Sequence, residues 1–346
     1  MEQPYHIKGD NFERAYREHL SDFPVWCEKG HEGEHAEQWM VHPENFDENM
    51  ALDETAMSKG ELHTLLTRKS ARCKQGTIGA MVEGTNADEI SAHIIANSTE
   101  EQRSRVKEIT MDFSENMHTI AERCFPEATK TIDLFHLIRL LINDMQDLRV
   151  RLKREARSED TKARKEWQKR LEKNASRRKE GKKDNRGRPA ERKNAAYKPE
   201  VLSNGDTVLE LLTRSRYLLT YTYDDWSEHQ KERATLLFER YPLMKTAYDM
   251  VHRIRMIFKS KTHTKESAKE ALDSWCEDAL TCGVDEFIAT VQTIQSREDE
   301  VLNYFVNHQT NAYAESFNSK IKNFRAQLRG VSDKQFFFYR LSCLFG

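Results

Sequence analysis

The sequence predicts an α/β protein in which a strand-rich first part leads into a long helical second part. Three short segments between residues 50 and 84 are alternating or continuously apolar, which is typical of strands. Between residues 86 and 145 the pattern changes to helix, strand, helix, strand, helix. From residue 201 to 306 apolar residues recur with helical spacing throughout.

Each element of the first part has its own local signal. The segments MALDETAM, ELHTLLTR and TIGAMVEG predict three successive strands joined as a meander. The next stretch starts with Asn86 and has a Glu three residues later, which predicts a capped helix over 86–97. VKEITMDF then predicts a strand, and SENMHTIAERCF predicts a helix capped by Ser114. ATKTID predicts a last short strand before the long helix that LFHLIRLLINDM begins.

Changes in composition divide the chain further. We predict a polar N-terminal segment over 1–46, with a short helix and loops, and the strand-rich part over 47–148. The highly charged segment over 149–200 predicts a solvated helix followed by a flexible loop. Helices follow over 201–306, and two more helices over 307–346 end the sequence.

The formal net charge of −2 hides a strong asymmetry. Residues 149–198 contain 21 Lys and Arg against 8 Asp and Glu, a balance of +13, so the rest of the chain carries −15. A basic segment on an acidic body predicts a polyanionic partner that binds at one place.

Composition also excludes several classes of protein. No apolar run approaches about 18 residues, and the start lacks a signal-peptide pattern, which argues against membrane spanning and secretion. The six cysteines contain no CxxC pair, so a zinc ribbon and a dense disulfide framework are disfavoured. We therefore expect a cytoplasmic protein that makes no use of a membrane.

Three acidic residues stand out by their positions. Asp53 lies within the first strand, Asp112 ends the strand VKEITMD, and Glu315 lies in the helix NAYAESFNSKIKN. If the first and fourth strands are neighbours, Asp53 and Asp112 project towards each other and repel unless a divalent cation compensates. Hard oxygen ligands suit Mg²⁺ or Mn²⁺, the ions of two-metal phosphoryl transfer. The alternative is that each Asp is an ordinary cap or turn residue.

The helix that carries Glu315 has one apolar stripe, which consists of Tyr313, Phe317, Ile321, Phe324 and Leu328. Glu315 lies roughly 200° round from Phe317 at 100° per residue. Asn311, Asn318 and Lys322 share its face, so Asn318 and Lys322 are candidates for DNA binding or active-site support. The alternative is that this face is the solvent-exposed side of an amphipathic helix.

Asp133 and His136 follow the last strand, in the sequence DLFH. Because they are three residues apart at a helix start, they share one side and could touch a substrate or a metal. The alternative is an N-cap carboxylate beside a partly buried histidine. The spacing alone does not separate these two interpretations.

These residues lie in three blocks that resemble the catalytic blocks of insertion-sequence DDE transposases, specifically of the ISL3 family. The blocks are NMALDETAMSKGELHTLLT, VKEITMDFSENMHTIAERCFPEATKTIDLFHLIRLL and HQTNAYAESFNSKIKNFRAQLRGVS. In the middle block, an Asp-containing strand, a helix ending in FPxA and a strand leading into DxFH are similar to the signature of that family. The resemblance covers about residues 49–346 and is weakest over 149–200.

The resemblance implies an RNase H-like mixed-sheet catalytic core that a long α-helical insertion interrupts. It implies that Asp53, Asp112 and Glu315 are the catalytic and metal-binding carboxylates, with two Mg²⁺ ions per active site and Mn²⁺ as a substitute. Asp133 and His136 match the DxxH element of related families, which is thought to assist DNA handling. The implied chemistry is cleavage of a transposon-end phosphodiester to leave a 3′-OH, which then attacks target DNA.

The implied partners are double-stranded DNA, both transposon ends and target, and further copies of the chain. At least a dimer is expected because two ends must be paired. Within the basic segment, six residues could follow a phosphate backbone as a flexible arm: Arg177, Arg178, Lys182, Lys183, Arg186 and Arg188. Such contacts are independent of sequence and sensitive to salt.

The sequence departs from the family pattern at its start. Family members usually begin with a cysteine zinc motif and a helix-turn-helix, and this sequence shows neither. We expect that either a separate end-recognition protein supplies this function or the chain is a truncated or domesticated remnant.

Three other functions stay open from the sequence. They are an RNase H-fold nuclease without strand transfer, a catalytically idle DNA-binding or assembly protein, and a helical scaffold with a polybasic segment.

For a transposase of this kind we expect a bacterial, nucleoid-associated location.

Overall fold

The computed structural model describes residues 9–28, 32–57, 60–179, 196–308, 310–327 and 333–346. As far as it describes the chain, there are two compact units. The first unit spans Met1–Leu137, His263–Ala268 and Arg297–Gly346, and the second spans Ile138–Thr262 and Lys269–Ser296. The sheet belongs to the first unit, and the second unit is helical.

The first unit is built on a mixed sheet, which has six strands within the described residues. They are β1 (Trp39–Val41), β2 (Asn49–Ala56), β3 (Leu62–Arg68), β4 (Ile78–Glu83), β5 (Glu108–Met111) and β6 (Thr129–Ile132). The order across the sheet is β1-β4-β3-β2-β5-β6. Pairs on the β1 side of β2 are antiparallel, whereas β2 pairs with β5, and β5 with β6, in parallel. The predicted meander is therefore confirmed, and the first and fourth of the predicted strands, β2 and β5, are neighbours.

The helices are numbered along the chain as far as the structure describes it. They are α1 (Gly9–Ala15), α2 (Phe23–Trp26), α3 (Ala87–Ala96), α4 (Glu100–Ser104), α5 (Glu115–Cys124), α6 (Leu134–Lys179), α7 (Val208–Leu218), α8 (Glu228–Arg240), α9 (Pro242–Lys259), α10 (Lys265–Thr281), α11 (Phe287–Ser296), α12 (Glu298–Leu302), α13 (Tyr304–Asn307), α14 (Ala312–Gln327) and α15 (Lys334–Phe345). The predicted α/β class, an RNase H-like mixed sheet interrupted by a long helical insertion, is confirmed.

The centre of the sheet is buried because helices pack against it. Met50, Ala51 and Leu52 are consecutive residues of β2 and all are buried, so both faces of this strand are covered. Helix α5 contacts β2 and β5, and α14 also contacts β2. One apolar cluster joins the sheet to α14 and α15, and its members include Met40, Leu65, Met81, Phe317, Ile321, Phe337, Leu341 and Phe345.

The second unit is held together by buried apolar side chains from its helices. Trp275 of α10 is fully buried, and its indole Nε1 donates to the carbonyl of Met250 in α9 at 2.9 Å. Leu211 and Leu212 of α7 and Val251 of α9 are also buried. A buried Trp with its N–H satisfied contributes apolar area without an unpaired donor.

Three local features differ from the sequence-based expectations. β1 lies in the segment that predicted only a short helix and loops, because a three-residue edge strand depends on pairing with β4 rather than on a local signal. Residues 138–148 belong to the continuous helix α6 and group with the helical unit rather than with the strand-rich part. Residues 297–306 group with the sheet unit, where α12 contacts β6.

Among the described helices, none combines the length and the apolar character that crossing a bilayer requires.

Replacing Phe337 by Ala should lower the free energy of unfolding by about 3–5 kcal/mol, because the lost ring leaves a cavity between α15 and the sheet. Urea unfolding measures this change. Leu344→Ala on the same helix is the control, since 44% of that residue is exposed, and it should cost less than about 1 kcal/mol. Equal losses from the two variants would contradict this packing.

Candidate active site

The strand register places three carboxylates at one edge of the sheet. Ala51 pairs with Thr110 and Met111 pairs with Ile132, both in parallel ladders. Asp53 lies two residues after Ala51. Asp112 directly follows Met111, and Asp133 directly follows Ile132. Neighbouring strands are about 4.8 Å apart, so consecutive members of this row lie side by side, just beyond the parallel pairing of β2 with β5 and of β5 with β6.

Asp53 is buried, and both of its carboxylate oxygens accept hydrogen bonds. Oδ1 accepts from the backbone N–H of Glu54 at 2.8 Å, and Oδ2 accepts from Nδ2 of Asn318 at 2.7 Å. Burial raises the pKa of Asp53, and the negative charges of Asp112 and Asp133 act in the same direction. The Glu54 hydrogen bond and the nearby His136 oppose this rise in pKa. The ionised form of Asp53 is thus held in place but remains electrostatically costly.

Asp112 is half-buried directly after β5. Its Oδ1 accepts from the backbone N–H of Ser114 at 2.7 Å, at the start of α5. Ser114 occupies the N-cap position, as predicted, but its side chain makes no capping hydrogen bond. The carboxylate of Asp112 instead stabilises this turn, which also fixes its own orientation.

Asp133 links β6 to two other elements. Only 1% of the residue is exposed. Its backbone N–H donates to the carbonyl of Met111 at 2.7 Å, and its Oδ1 accepts from the backbone N–H of Asn311 at 3.1 Å. Its Oδ2 lies 3.1 Å from Nδ1 of His136. Asp133 therefore ties the start of α6 and the chain entering α14 to the same strand end.

His136 is partly buried beside these carboxylates. The hydrogen bond to Asp133 raises the pKa of His136, burial opposes the rise, and the charges of Asp133, Asp53 and Asp112 add to it. The imidazole is therefore a source of positive charge at this edge of the sheet. Contact of Asp133 and His136 with DNA or a metal stays a prediction.

Helix α14 presents a polar face to the carboxylates. Asn311 and Asn318 are buried and Glu315 is half-buried, whereas Lys322 on the same face is exposed. The backbone N–H of Asn311 binds Asp133 and the amide of Asn318 binds Asp53. Glu315 lies between these two residues along the helix and about 40–60° round the axis from both, and its contact with the carboxylates stays a prediction. The burial of Asn311 and Asn318 shows that this face of the helix is not merely solvent-exposed.

The apolar stripe of α14 is only partly as expected. Phe317 and Ile321 are fully buried and Phe324 packs against the same cluster, but Tyr313 is 46% exposed. Leu328 lies outside the described residues. The exposure of Tyr313 shows that the buried side of the first turn has moved towards Asn311 and Ala314.

The chain reaches α14 along the edge strand β6. Asn303, which follows α12, donates from Nδ2 to the carbonyl of Lys130 at 2.8 Å. Nζ of Lys265 in turn donates to Oδ1 of Asn303 at 2.8 Å. Arg297 pairs with Glu300 at 3.4 Å and also with Glu115 of α5. These contacts fix the segment before α14 within the first unit.

Lys69 is a site neighbour that sequence reasoning missed. It lies in the charged turn after β3, yet it is buried, and its Nζ donates to Oγ1 of Thr110 on β5. Burial lowers the pKa of Lys69 to about 8, although the charges of Glu108 and Asp133 oppose the shift. The sequence RKSARCK resembles an exposed turn and carries no signal for this burial.

The predicted basic arm lies largely outside the described residues. Lys182, Lys183, Arg186 and Arg188 fall within 180–195, which the structure does not describe. Arg177 and Arg178 lie in the last turn of α6, and the placement of their side chains is not described.

The sequence resemblance implies a divalent ion at these carboxylates, so their arrangement is compared with the ligands that such an ion requires. Among the described residues, no group of three or more His, Cys, Asp or Glu side chains is arranged to hold a metal ion. Mg²⁺ commonly binds one or two protein carboxylates and completes its shell with water and substrate phosphates. Asp53 and Asp112 fit as such a pair, since burial raises the pKa of Asp53 and the charge of Asp112 adds to the rise, which a bound cation would offset.

The fold and the site together define the class of protein. A mixed sheet of RNase H-like order carries Asp53 and Asp112 on adjacent parallel strands, and a later helix binds this row of carboxylates through Asn311 and Asn318. A family model of transposases, the ISL3 type of DDE transposase, matches residues 50–341. The chain therefore belongs to the ISL3 family of DDE transposases. A search of curated proteins and a search of solved structures found no match.

Asp53→Asn should stabilise the metal-free protein at about pH 8, by on the order of 1 kcal/mol, because it removes a buried charge and can keep the bond from Asn318. The gain should shrink as the pH falls through the raised pKa of Asp53, where the wild-type carboxyl is also neutral. Urea unfolding in EDTA across this pH range measures the effect.

Asp47→Asn is the control with the opposite sign. Burial alone would raise the pKa of Asp47, but hydrogen bonds from Ser70, the Glu48 N–H and Arg68 hold it below its ordinary value. Its replacement should destabilise the protein at neutral pH and matter less as the pH falls through that lowered pKa. A destabilising Asp53→Asn at about pH 8 would contradict the electrostatic cost inferred for Asp53.

Proposed function

We propose that this transposase-family chain cleaves transposon-end DNA in a metal-dependent reaction and transfers the resulting 3′-OH into target DNA. The observation that carries the proposal is the meeting of three segments far apart in sequence. β2 and β5 bring Asp53 beside Asp112, and α14 binds Asp53 through Asn318 with Glu315 on the same face. Scaffold helices and DNA-binding modules do not require buried carboxylates of like charge.

Asp53 and Asp112 are the residues that would hold Mg²⁺, or Mn²⁺ in its place, with Glu315 as the third carboxylate and two ions per active site. When bound, the ions would supply the positive charge that phosphodiester cleavage and joining need. Substrate phosphate oxygens and water would complete the ligand shell of each ion.

The surrounding residues would position this machinery. Asn318 and the Glu54 N–H orient Asp53, and the Ser114 N–H orients Asp112. Asp133 holds the start of α14 through Asn311. Such fixed donors reduce the reorganisation that the site must undergo during reaction.

Double-stranded DNA, both transposon ends and target, is the proposed substrate of this insertion-sequence enzyme. We propose that the active form is at least a dimer, since two ends must be paired. A nucleoid-associated location in the bacterial cytoplasm would follow from this activity.

Asp112→Ala should reduce joining of a pre-cut 3′-OH oligonucleotide to supercoiled plasmid by at least about a hundredfold, because it removes charge stabilisation at the reacting phosphate. The assay compares wild type and variant in Mg²⁺ and in Mn²⁺. Asp88→Ala is the control, since Asp88 is an exposed residue of α3 paired with Arg123, and it should join normally.

The same assay separates the alternatives. Cleavage without joining would indicate an RNase H-fold nuclease that performs no strand transfer. DNA binding with neither reaction, in wild type as in Asp112→Ala, would indicate a catalytically idle DNA-binding or assembly protein. Joining that is equally strong in wild type and Asp112→Ala would contradict the assignment of the carboxylates.

Asn318→Ala should raise the Mg²⁺ concentration needed for half-maximal joining by about 10–100-fold, because Asp53 loses the donor that orients it. Higher metal concentrations should restore part of the rate. Asn323→Ala is the matched control, because Asn323 is an exposed amide on the same helix. A lowered melting temperature with an unchanged metal dependence would show that Asn318 is only structural.

A further inference from the structure

Helix α6 has an exposed face that the proposed active site does not use. The helix runs unbroken for 46 residues, and 151–176 lie within the helical unit. Leu152 and Ala156 are buried and Trp167 is half-buried, which marks one side of the helix as its inner side. At 100° per residue, Arg154 and Lys165 lie on the opposite side.

That outer side is basic. Six exposed basic residues fall within about 80° of Arg154 around the helix axis, Arg154 included. They are Arg154, Arg157, Lys162, Arg164, Lys165 and Lys169. Glu172 is the acidic residue in this sector, whereas Glu155, Glu159 and Glu166 fall outside it. We call the six residues the α6 basic stripe.

Within the described residues, none of the six members of the α6 basic stripe forms an ion pair with a carboxylate. Other cations of the helical unit do: Arg151 pairs with Glu286 at 2.8 Å, Arg253 with Asp278 at 2.7 Å and Lys245 with Asp249 at 2.5 Å. An aligned row of uncompensated cations repels itself unless an anionic partner is present.

We propose that the α6 basic stripe is a surface that binds the phosphate backbone of duplex DNA, independently of the DNA sequence. From Arg154 to Lys169 the stripe is about 22 Å long at 1.5 Å per residue. A DNA strand advances about 3.4 Å per phosphate along its axis, so the stripe is long enough to follow about six phosphates. The proposal rests on the proposed DNA substrate, but it concerns a rigid helix rather than the arm predicted over 176–193.

The test uses a triple variant of the full chain, Arg154→Gln, Lys165→Gln and Lys169→Gln, since Gln preserves helix propensity. Binding of a fluorescent duplex is measured by anisotropy in EDTA between about 50 and 200 mM salt. Each lost phosphate contact should lower the slope of log K against log salt by about 0.9, so a decrease of about 2–3 is expected.

The control removes the same charge elsewhere in the helical unit. Lys245→Gln, Arg253→Gln and Lys269→Gln change exposed residues that pair with Asp249, Asp278 and Asp273. The control should retain the wild-type slope. Equal slope changes in both triple variants would overturn the proposal in favour of a general effect of net charge. An unchanged slope in the stripe variant would show that the face is only solvated.

Asp112→Ala separates this proposal from the proposed reaction. If the reaction is wrong and the stripe is right, Asp112→Ala and wild type should bind duplex alike, and neither should join DNA. If the reaction is right and the stripe is wrong, the stripe triple variant should keep the wild-type salt slope and should join DNA at the wild-type rate.

Discussion

The parallel pairing of β2 with β5 is the constraint on which the candidate active site depends. It sets Asp53 and Asp112 side by side, and the parallel pairing of β6 adds Asp133 to the row. Like charges at this spacing in a partly buried edge are unfavourable for the folded protein. Burial raises the pKa of Asp53, and the charges of Asp112 and Asp133 add to the rise, while hydrogen bonds from the Glu54 N–H and from Asn318 hold the carboxylate in place. Proteins tolerate such cost where function requires it.

The helix that closes the site comes from a distant part of the chain. Asn318 and Asp53 are 265 positions apart, and Asn311 and Asp133 are 178 apart. The segment between them includes the helical unit, so contacts within the sheet unit are needed to fix the position of the chain before α14. The Asn303 bond to β6 and the ion pair of Arg297 with Glu115 of α5 provide these contacts. Asp133 thus serves the architecture directly, whether or not it also meets DNA.

Much of the candidate site could be predicted from local sequence. Asp53 within a strand, Asp112 at a strand end and Glu315 on a periodic helix were recognisable because short-range patterns define strands and helices. The burial of Asn311 and Asn318 was not predictable, since helical spacing places them on a polar face without revealing what covers it. Lys69 was missed for the same reason, because a lysine in a charged turn gives no sign of the pocket that encloses it. The basic character of 149–179 was evident, but its continuity as one helix with an uncompensated outer face was not.

The amino-acid sequence by itself determined the strand and helix order, the asymmetry of charge and the resemblance of its three acidic blocks to a transposase family. These properties depend on residue type and on spacings of a few positions. Only the tertiary structure decided that β1 joins the sheet edge, that Asp112 binds the N–H of Ser114 before α5, and that Asn318 of α14 turns inward to Asp53. Strand register, burial and hydrogen-bond partners depend on contacts between residues far apart in the chain, and local periodicity carries no information about those contacts.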